Sequence, residues 1–276
     1  MPRSWPASAA ELVRLKNLLM AAAGVAVGGF LVWGRVRFPP ELAWAMASAA
    51  ALGAAGNVAN DLADLDADRV NKPNRPLVSG AVSRGAALAI GGLAGGLGLF
   101  AAWWVGGAVL RIALPALALM LVYSPVFKQR GLAGNLVVAL VGSLPLVYGA
   151  AAAGWWRAGV LPASIAALLH LPREIVKDLE DVPGDRAAGR RTIPIIWGES
   201  AAYAVAAAAL VLFVPVALGP WLAGWYGRRY GWVALAVAAG AAVVAGRLLN
   251  RRLRGARAAL KLAMVFGLAA LLWDRL

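Results

Sequence analysis

Residues 41–68 read ELAWAMASAAALGAAGNVANDLADLDAD. From Leu42 to Ala59 the only polar side chains are Ser48 and Asn57, and then four carboxylates follow, at Asp61, Asp64, Asp66 and Asp68. About 20 apolar residues suffice to cross a bilayer as a helix. A carboxylate at the bilayer centre costs roughly 2.5–3.5 kcal/mol. The stretch therefore reads as a membrane-spanning helix whose acids gather at one end. At about 100° per residue, Asn57, Asn60, Asp61, Asp64 and Asp68 share an arc of roughly 100°. Asp66 points the other way.

The spacing returns once. Asp178, Asp181 and Asp185 repeat the intervals of Asp61, Asp64 and Asp68. Glu174 shares their face and Glu180 does not. Pro183-Gly184 is expected to end that helix, so that Asp185 reaches in from a loop. The two acidic helix ends thus form a pseudo-repeat, at 57–76 and 174–194.

The rest of the chain sets the class. Of 276 residues 62% are hydrophobic and 14% charged, with mean hydropathy +0.72, against about 45–50% apolar and about 25% charged in soluble domains. Apolar runs at roughly 15–33, 41–64, 84–105, 108–125, 132–153, 160–178, 200–219, 230–249 and 257–274 give about nine spans. Segments this long exclude barrel strands. The fold class is all-α, a polytopic membrane helical bundle forming one domain over 1–276. Glycines four apart (Gly24/Gly28, Gly91/Gly95, Gly92/Gly96) suit close helix crossings. Trp33, Trp103, Trp104, Trp155, Trp156 and Trp273 fall where interfacial anchors belong. The first apolar run lacks the small-residue cleavage site of a signal peptide, and cysteine is absent, which removes disulfides and thiolate chemistry.

The net charge of +14 is not a nucleic-acid signature, because the basic residues lie in short connections beside apolar spans, where anionic headgroups and retention on the inner face account for them. With the N-terminus cytoplasmic, the inner segments carry Arg3, Arg14, Lys16, Arg69, Lys72, Arg75, Arg84, Lys128, Arg130, Arg186, Arg190, Arg191 and the group from Arg247 to Arg257. The outer segments hold only Arg35, Arg37, Arg111, Arg157, Arg228, Arg229 and Arg275. Arg173, Lys177 and Lys261 lie within spans. This bias places the protein in the cell membrane with both acidic ends on the cytoplasmic side, where they can face one another and open the active site.

Two facing rows of carboxylates need a cation, and Mg²⁺ is the natural one: it takes oxygen ligands, only one or two of them carboxylates, and leaves positions for phosphate. The metal-ligating set is Asn60, Asp61, Asp64, Asp68, Asp178, Asp181 and Asp185, and its aspartates are also the catalytic set. Bases and hydroxyls follow closely. Lys72 and Arg75 lie in a proline-stiffened segment, Tyr123, Ser124 and Lys128 in a third cytoplasmic loop, with Asn135 beyond. These are the diphosphate-binding set. Asn17, Asn57, Glu174, Lys177, Arg190 and Arg191 are candidates for the acceptor or for supporting roles, and Arg14 for the acceptor's phosphate. With hydrocarbon as the remaining neighbour, the ligand is a lipid with a phosphorylated head. His170 reads as a buried, hydrogen-bonded structural histidine.

At these residues the chain resembles the UbiA superfamily of intramembrane prenyltransferases. The N-D-x-x-D-x-x-x-D motif is matched by Asn60, Asp61, Asp64 and Asp68, and the second aspartate motif by Asp178, Asp181 and Asp185. Asn71, Pro73, Arg75 and Pro76 match N-x-P-x-R-P, and Tyr123, Ser124 and Lys128 match Y-S-x-x-x-K. Arg173-Glu174-Ile175-Val176-Lys177-Asp178-Leu179-Glu180-Asp181 looks most like the archaeal branch, whose members attach a second geranylgeranyl chain to geranylgeranylglyceryl phosphate. The resemblance implies geranylgeranyl diphosphate as donor, a lipid acceptor and Mg²⁺ as cofactor.

Other readings compete. An aromatic, quinone-type acceptor shares the acidic motifs. A CDP-alcohol phosphotransferase requires D-x-x-D-G-x-x-A-R, yet Leu65 follows Asp64 and Val182 follows Asp181. A secondary transporter would carry its acids near the midplane on broken helices, whereas these run out toward loops rich in cations.

Overall fold

The structure, a computed structural model, describes residues 4–276; Arg3 of the inner-face tally lies outside the described residues. The described chain is helical throughout. A short helix α1 (Trp5–Leu12) precedes α2 (Leu15–Trp33), α3 (Pro40–Ala63), α4 (Leu65–Asn71), α5 (Arg84–Val105) and α6 (Gly107–Val122). After these come α7 (Leu132–Ala152), α8 (Val160–Ala187), α9 (Ile193–Ile196), α10 (Glu199–Leu222), α11 (Arg228–Leu249) and α12 (Ala256–Trp273). Nine of the described helices are long and apolar enough to span a membrane: α2, α3, α5, α6 with its extension to Phe127, α7, α8, α10, α11 and α12. The spans alternate in direction, so the ends of α3 and α8 and the starts of α2, α5, α7, α10 and α12 share one face. The tryptophans singled out above fall at the other face.

Packing forms two groups joined through α7. Val25 and Phe30 of α2, Leu42 and Leu52 of α3, and Val109 of α6 bury together with Tyr148 of α7. Ile175 and Val176 of α8, Leu210 and Phe213 of α10, Leu248 of α11 and Leu260 of α12 form the second core. The α2–α7 crossing is close because both helices present glycine: a β-carbon at Gly28 would overlap the Leu146 carbonyl, and one at Gly149 the Val25 carbonyl. Gly91 and Gly95 face Val58 and Ala55 of α3. Gly92 and Gly96 meet nothing within 4 Å, so that expected crossing does not form; one helical step turns them off the packed face.

Three local expectations are corrected. The first acidic stretch is not one uninterrupted helix: α3 ends at Ala63 and Asp64 (φ −97°, ψ 7°) joins it to α4. Backbone bonds from Asp64 N to Asn60 O (2.9 Å) and from Asp68 N to Asp64 O (2.8 Å) carry the chain across, so the acids still share a face. Pro183-Gly184 does not end the second helix. α8 continues to Ala187 and carries Asp185 within it; the Pro183 ring is exposed, and a side chain from α4 bonds the backbone on either side of it. Tyr123–Phe127 is not a loop but a wide helical turn that extends α6 and closes with a bond from Lys128 N to Tyr123 O (2.8 Å).

Candidate active site

The side chain from α4 is Asn71. Its amide nitrogen donates to Asp181 O (2.8 Å) and its oxygen accepts from Gly184 N (2.9 Å), two backbone groups that bracket Pro183. The helices touch at this point: a β-carbon on Gly184 would lie 2.5 Å from Ala67 O. Asn71 therefore fixes the first acidic stretch against the second. Sequence reading placed it in a motif but gave it no role.

The acids are held by cations in a reciprocal pattern. Lys72, which trails the first stretch, binds Asp181 of the second at 2.6 Å. Arg190, which trails the second, binds Asp64 of the first at 2.6 Å. Lys128 reaches Asp64 from the wide turn at 2.5 Å. Arg75 pairs with Asp68 and, at 2.9 Å, with Asp61. Asp61 also takes Arg14 at 2.5 Å, from a residue whose left-handed backbone (φ +57°) links α1 to α2. Asn135 donates to Asp178 (2.8 Å), Ser124 to Asn60 (3.0 Å), and Arg190 stands 3.8 Å from the buried Asp185. Burial pushes the Asp64 carboxyl up, but the Lys128 and Arg190 charges outweigh it and hold the group at about 2. At Asp68 burial prevails over Arg75 and Lys72, and the pKa rises. Burial lowers that of Lys128.

All the proposed metal-ligating and diphosphate-binding residues meet at this end of the bundle. Tyr123 is buried beside Ser124 on the wide turn. Asn57 accepts from Arg14 (3.4 Å) and donates to Val13 O (2.9 Å). Glu174 lies deeper, between Arg173 (2.6 Å) and Lys177 (3.1 Å). Two candidates stand apart. Asn17 is exposed at the start of α2 and lines the cavity below. The Arg191 side chain is exposed, and only its carbonyl is engaged, by Gly131 N. Of the excluded acids, Asp66 pairs with Arg69 on the surface, while Glu180 pairs with Arg257 on the cavity lining, apart from the ion pairs of the acidic rows. His170 is a half-buried cavity residue packed near Gly142, and it makes no hydrogen bond among the described residues, contrary to expectation.

Among the described residues no three acidic or histidine side chains converge tightly enough to grip one ion, since most of the carboxylates are drawn toward cations and Asp178 toward Asn135. The donor chemistry nevertheless fits Mg²⁺. Every candidate ligand is an oxygen, and two buried oxygens, Asp185 Oδ2 and Asn135 Oδ1, lack any hydrogen-bond donor among the described residues.

Beneath the polar end lies a cavity of about 1240 Å³, larger than the roughly 300–1,000 Å³ of a pocket for a drug-sized molecule. Asn60, Asp61, Arg75 and Tyr123 line its polar end, and Leu52, Met120, Leu169, Phe213 and Leu271 its apolar depth. α2 and α12 pack together through Val27, Leu31, Ala270 and Leu271 near the far face. Toward the acidic end Lys16, Asn17, Arg257 and Lys261 of the same two helices line the cavity instead.

Residues 20–270 match the UbiA prenyltransferase family. The chain is 38% identical to the digeranylgeranylglyceryl phosphate synthase of Methanopyrus kandleri over 272 residues, 95% of this chain and 97% of that one. A solved chain described as giving insight into digeranylgeranylglyceryl phosphate synthase in membranes superposes with a TM-score of 0.79 at 25% identity, covering 98% of both chains. A UbiA homolog from Archaeoglobus fulgidus, solved bound to GPP and Mg²⁺, has the same fold with a TM-score of 0.69 at 19% identity over 96% of this chain and 99% of its own.

Proposed function

The chain belongs to the UbiA prenyltransferase family and is a multi-pass membrane prenyltransferase; on that premise we propose that it moves a geranylgeranyl group from geranylgeranyl diphosphate to the free hydroxyl of geranylgeranylglyceryl phosphate, a step of archaeal ether-lipid synthesis, with Mg²⁺ as cofactor and the site open to the cytoplasm. The observation that carries the reading is the reciprocal tie of two acidic helix ends, Lys72 to Asp181 and Arg190 to Asp64, above an apolar cavity of about 1240 Å³. The name of the M. kandleri relative and the GPP and Mg²⁺ in the A. fulgidus homolog support the choice of donor, acceptor and metal.

Asn60, Asp61, Asp64 and Asp68 on one side and Asp178, Asp181 and Asp185 on the other would hold the metal. Bound there, Mg²⁺ supplies positive charge to the diphosphate oxygens. The residues of the chain do the rest. Lys72, Arg75, Lys128 and Arg190 stand where a diphosphate between the acidic rows meets them, and they stabilise the charge that grows on the departing oxygen as the C–O bond breaks. Tyr123 lines the same end. The allylic carbon left behind is destroyed by water, and the apolar walls below, from Leu52 and Met120 to Leu169 and Phe213, keep water out until the acceptor oxygen bonds to it and the hydroxyl proton passes to the released diphosphate. The gain and loss of charge occur at opposite ends of one bond, so the polar and apolar parts of the site must adjoin, as they do around Asp61 and Tyr123.

The test is prenyl transfer by purified protein supplied with labelled diphosphates of several chain lengths, offered geranylgeranylglyceryl phosphate or an aromatic acid. Transfer to the glycerophosphate lipid, lost on adding EDTA and restored by Mg²⁺, is the expected result. Transfer only to the aromatic acid would assign the chain to the quinone-type branch, and proteoliposomes that exchange a labelled ion without any transfer would favour a transporter.

A further inference from the structure

Arg173 and Lys177 of α8 and Lys261 of α12 sit within membrane spans. A lone cation near the bilayer centre costs roughly 2.5–3.5 kcal/mol on insertion scales, and intramembrane charges mark substrate contacts more often than accidents. All three line the cavity of about 1240 Å³. Glu174, the acid set between two of them, has a side chain only 7% exposed and pairs with Arg173 at 2.6 Å and Lys177 at 3.1 Å. Lys261 is half-buried and has no ion pair among the described residues. Arg173 lies about one and a half helical turns deeper along α8 than Asp178, and Lys177 stands immediately before Asp178 and about one turn before Asp181. The group is separate in its pairing: Lys72, Arg75, Lys128 and Arg190 are engaged by Asp61, Asp64, Asp68 and Asp181, not by Glu174.

We infer that Arg173, Lys177 and Lys261 form a second anion site, distinct from the diphosphate clamp, that takes the phosphate monoester of the acceptor lipid. The inference rests on the acceptor proposed above and narrows it. Arg173 and Lys177 share the single acid Glu174, and Lys261 on the same cavity has no ion pair among the described residues; with Asp178, beside Lys177, assigned to the metal, the three cations exceed Glu174 by two charges, which suits a phosphate monoester of about −1.5 to −2 at neutral pH with three strong acceptor oxygens. A carboxylate carries one charge and would leave one buried cation unmatched. Arg257, nearby, is already paired with Glu180 at 2.9 Å, and Lys16 is exposed, so neither alters the balance in the interior. The pattern selects a phosphorylated acceptor over an aromatic acid. The same α2–α12 side of the cavity carries Lys261, which places the lipid's head against the group while its chains occupy the apolar depth.

The test uses the full-length protein with Mg²⁺ in nanodiscs of uncharged lipid, and measures binding of geranylgeranylglyceryl phosphate and of its alcohol without the phosphate. The wild type is expected to prefer the phosphorylated lipid at least tenfold. Lys261→Gln and Arg173→Gln should each cut that preference about tenfold, equivalent to about 1.4 kcal/mol. Lys261→Arg should keep it. Because the alcohol is measured on the same variant, misfolding cannot mimic the change. An unaltered preference in Lys261→Gln, or no preference in the wild type, overturns the site. So does displacement of the ligand by a bilayer phosphatidylglycerol at equal mole fraction, which would make it a general headgroup site. A wild type that keeps the preference yet transfers no prenyl group would refute the proposed reaction and leave the anion site standing.

Discussion

Asp64→Asn removes a charge at the reciprocal tie while keeping the shape of the side chain. In the wild type the carboxylate takes Lys128 at 2.5 Å and Arg190 at 2.6 Å, with side-chain exposures of 10% for Asp64 and 9% for each cation. Burial alone would raise its pKa, but the two cations lower it from 3.8 to about 2, which is about 2 kcal/mol of stabilisation at about 1.4 kcal/mol per pH unit. The folded value lies below the unfolded one, so this contribution is complete above about pH 4 and is lost as pH falls through about 2. At neutral pH the variant forfeits it and leaves two buried cations without their acid; breaking a buried pair costs about 3–5 kcal/mol. Arg190 keeps Asp185 at 3.8 Å, which favours the lower end of that range. At about 2–4 °C per kcal/mol, thermal unfolding followed by tryptophan fluorescence should fall by roughly 6–12 °C. Prenyl transfer should fall at least about 100-fold, or about 2.7 kcal/mol in the barrier. The double variant Asp64→Asn/Lys128→Gln removes one unpaired charge and should recover part of the thermal loss but none of the transfer. Transfer within tenfold of wild type with unfolding shifted by less than about 2 °C would refute the reasoning.

The other expectations can be checked in the same assays. Asn71→Ala strips a partner from both Asp181 O and Gly184 N, so stability should drop by about 1–3 kcal/mol and transfer with it; unchanged unfolding would mean that α4 is not fastened through this residue. Gly184→Ala puts a methyl 2.5 Å from Ala67 O and should reduce transfer at least about tenfold by parting α4 from α8. Retention of half the activity would deny the contact. Asp66→Asn, at a side chain 80% exposed and paired only with Arg69, should stay within about 0.5 kcal/mol in stability and within twofold in rate; a large loss would place Asp66 in the site. Titration of a prenyl diphosphate with and without Mg²⁺ should show each ligand tightening the other by the same factor, and equal affinity in both conditions would contradict a shared site.

The spans were legible because bilayer thickness sets their length, and the apolar runs stop within a few residues of the helix ends, as at Leu15–Trp33 and Arg84–Val105. The meeting of the two acidic ends was legible from their repeated spacing and from the even number of crossings that returns α3 and α8 to one face. The partner of each acid was not. Whether Arg190 binds Asp64 or Asp185 depends on how α8 lies against α4, which no local pattern encodes. Pro183 shows the same limit. A proline stop signal weighs only local sequence, and Asn71, far away in sequence, fastens the backbone on either side of Pro183. The break at Asp64 and the wide turn at Tyr123–Phe127 were missed because both keep most of the helical hydrogen bonding and leave the polarity pattern intact. Lys261 drew no functional reading because a single cation within a span carries no motif, and Arg173 entered only as part of a family-like segment; the cavity reveals that both line it.

The repeat in the sequence has a consequence that neither copy has alone. Asp64 and Asp181 are the middle acids of their stretches, and each is bound by the cation trailing the other stretch. An acid this buried costs several kcal/mol when unpaired, and so does its cation. Each helix end is therefore electrostatically incomplete until the other arrives, and closure of the bundle at this face follows from charge as much as from packing. The arrangement also bears on ligand binding. A diphosphate needs the cations that now satisfy the acids, and drawing Lys72 or Arg190 toward phosphate leaves Asp181 or Asp64 in want of another positive charge. A divalent cation meets that need without adding a side chain. On the proposed function, metal and diphosphate would be coupled through the same two cross-ties, and a site built from acids alone, or from bases alone, would lack that coupling.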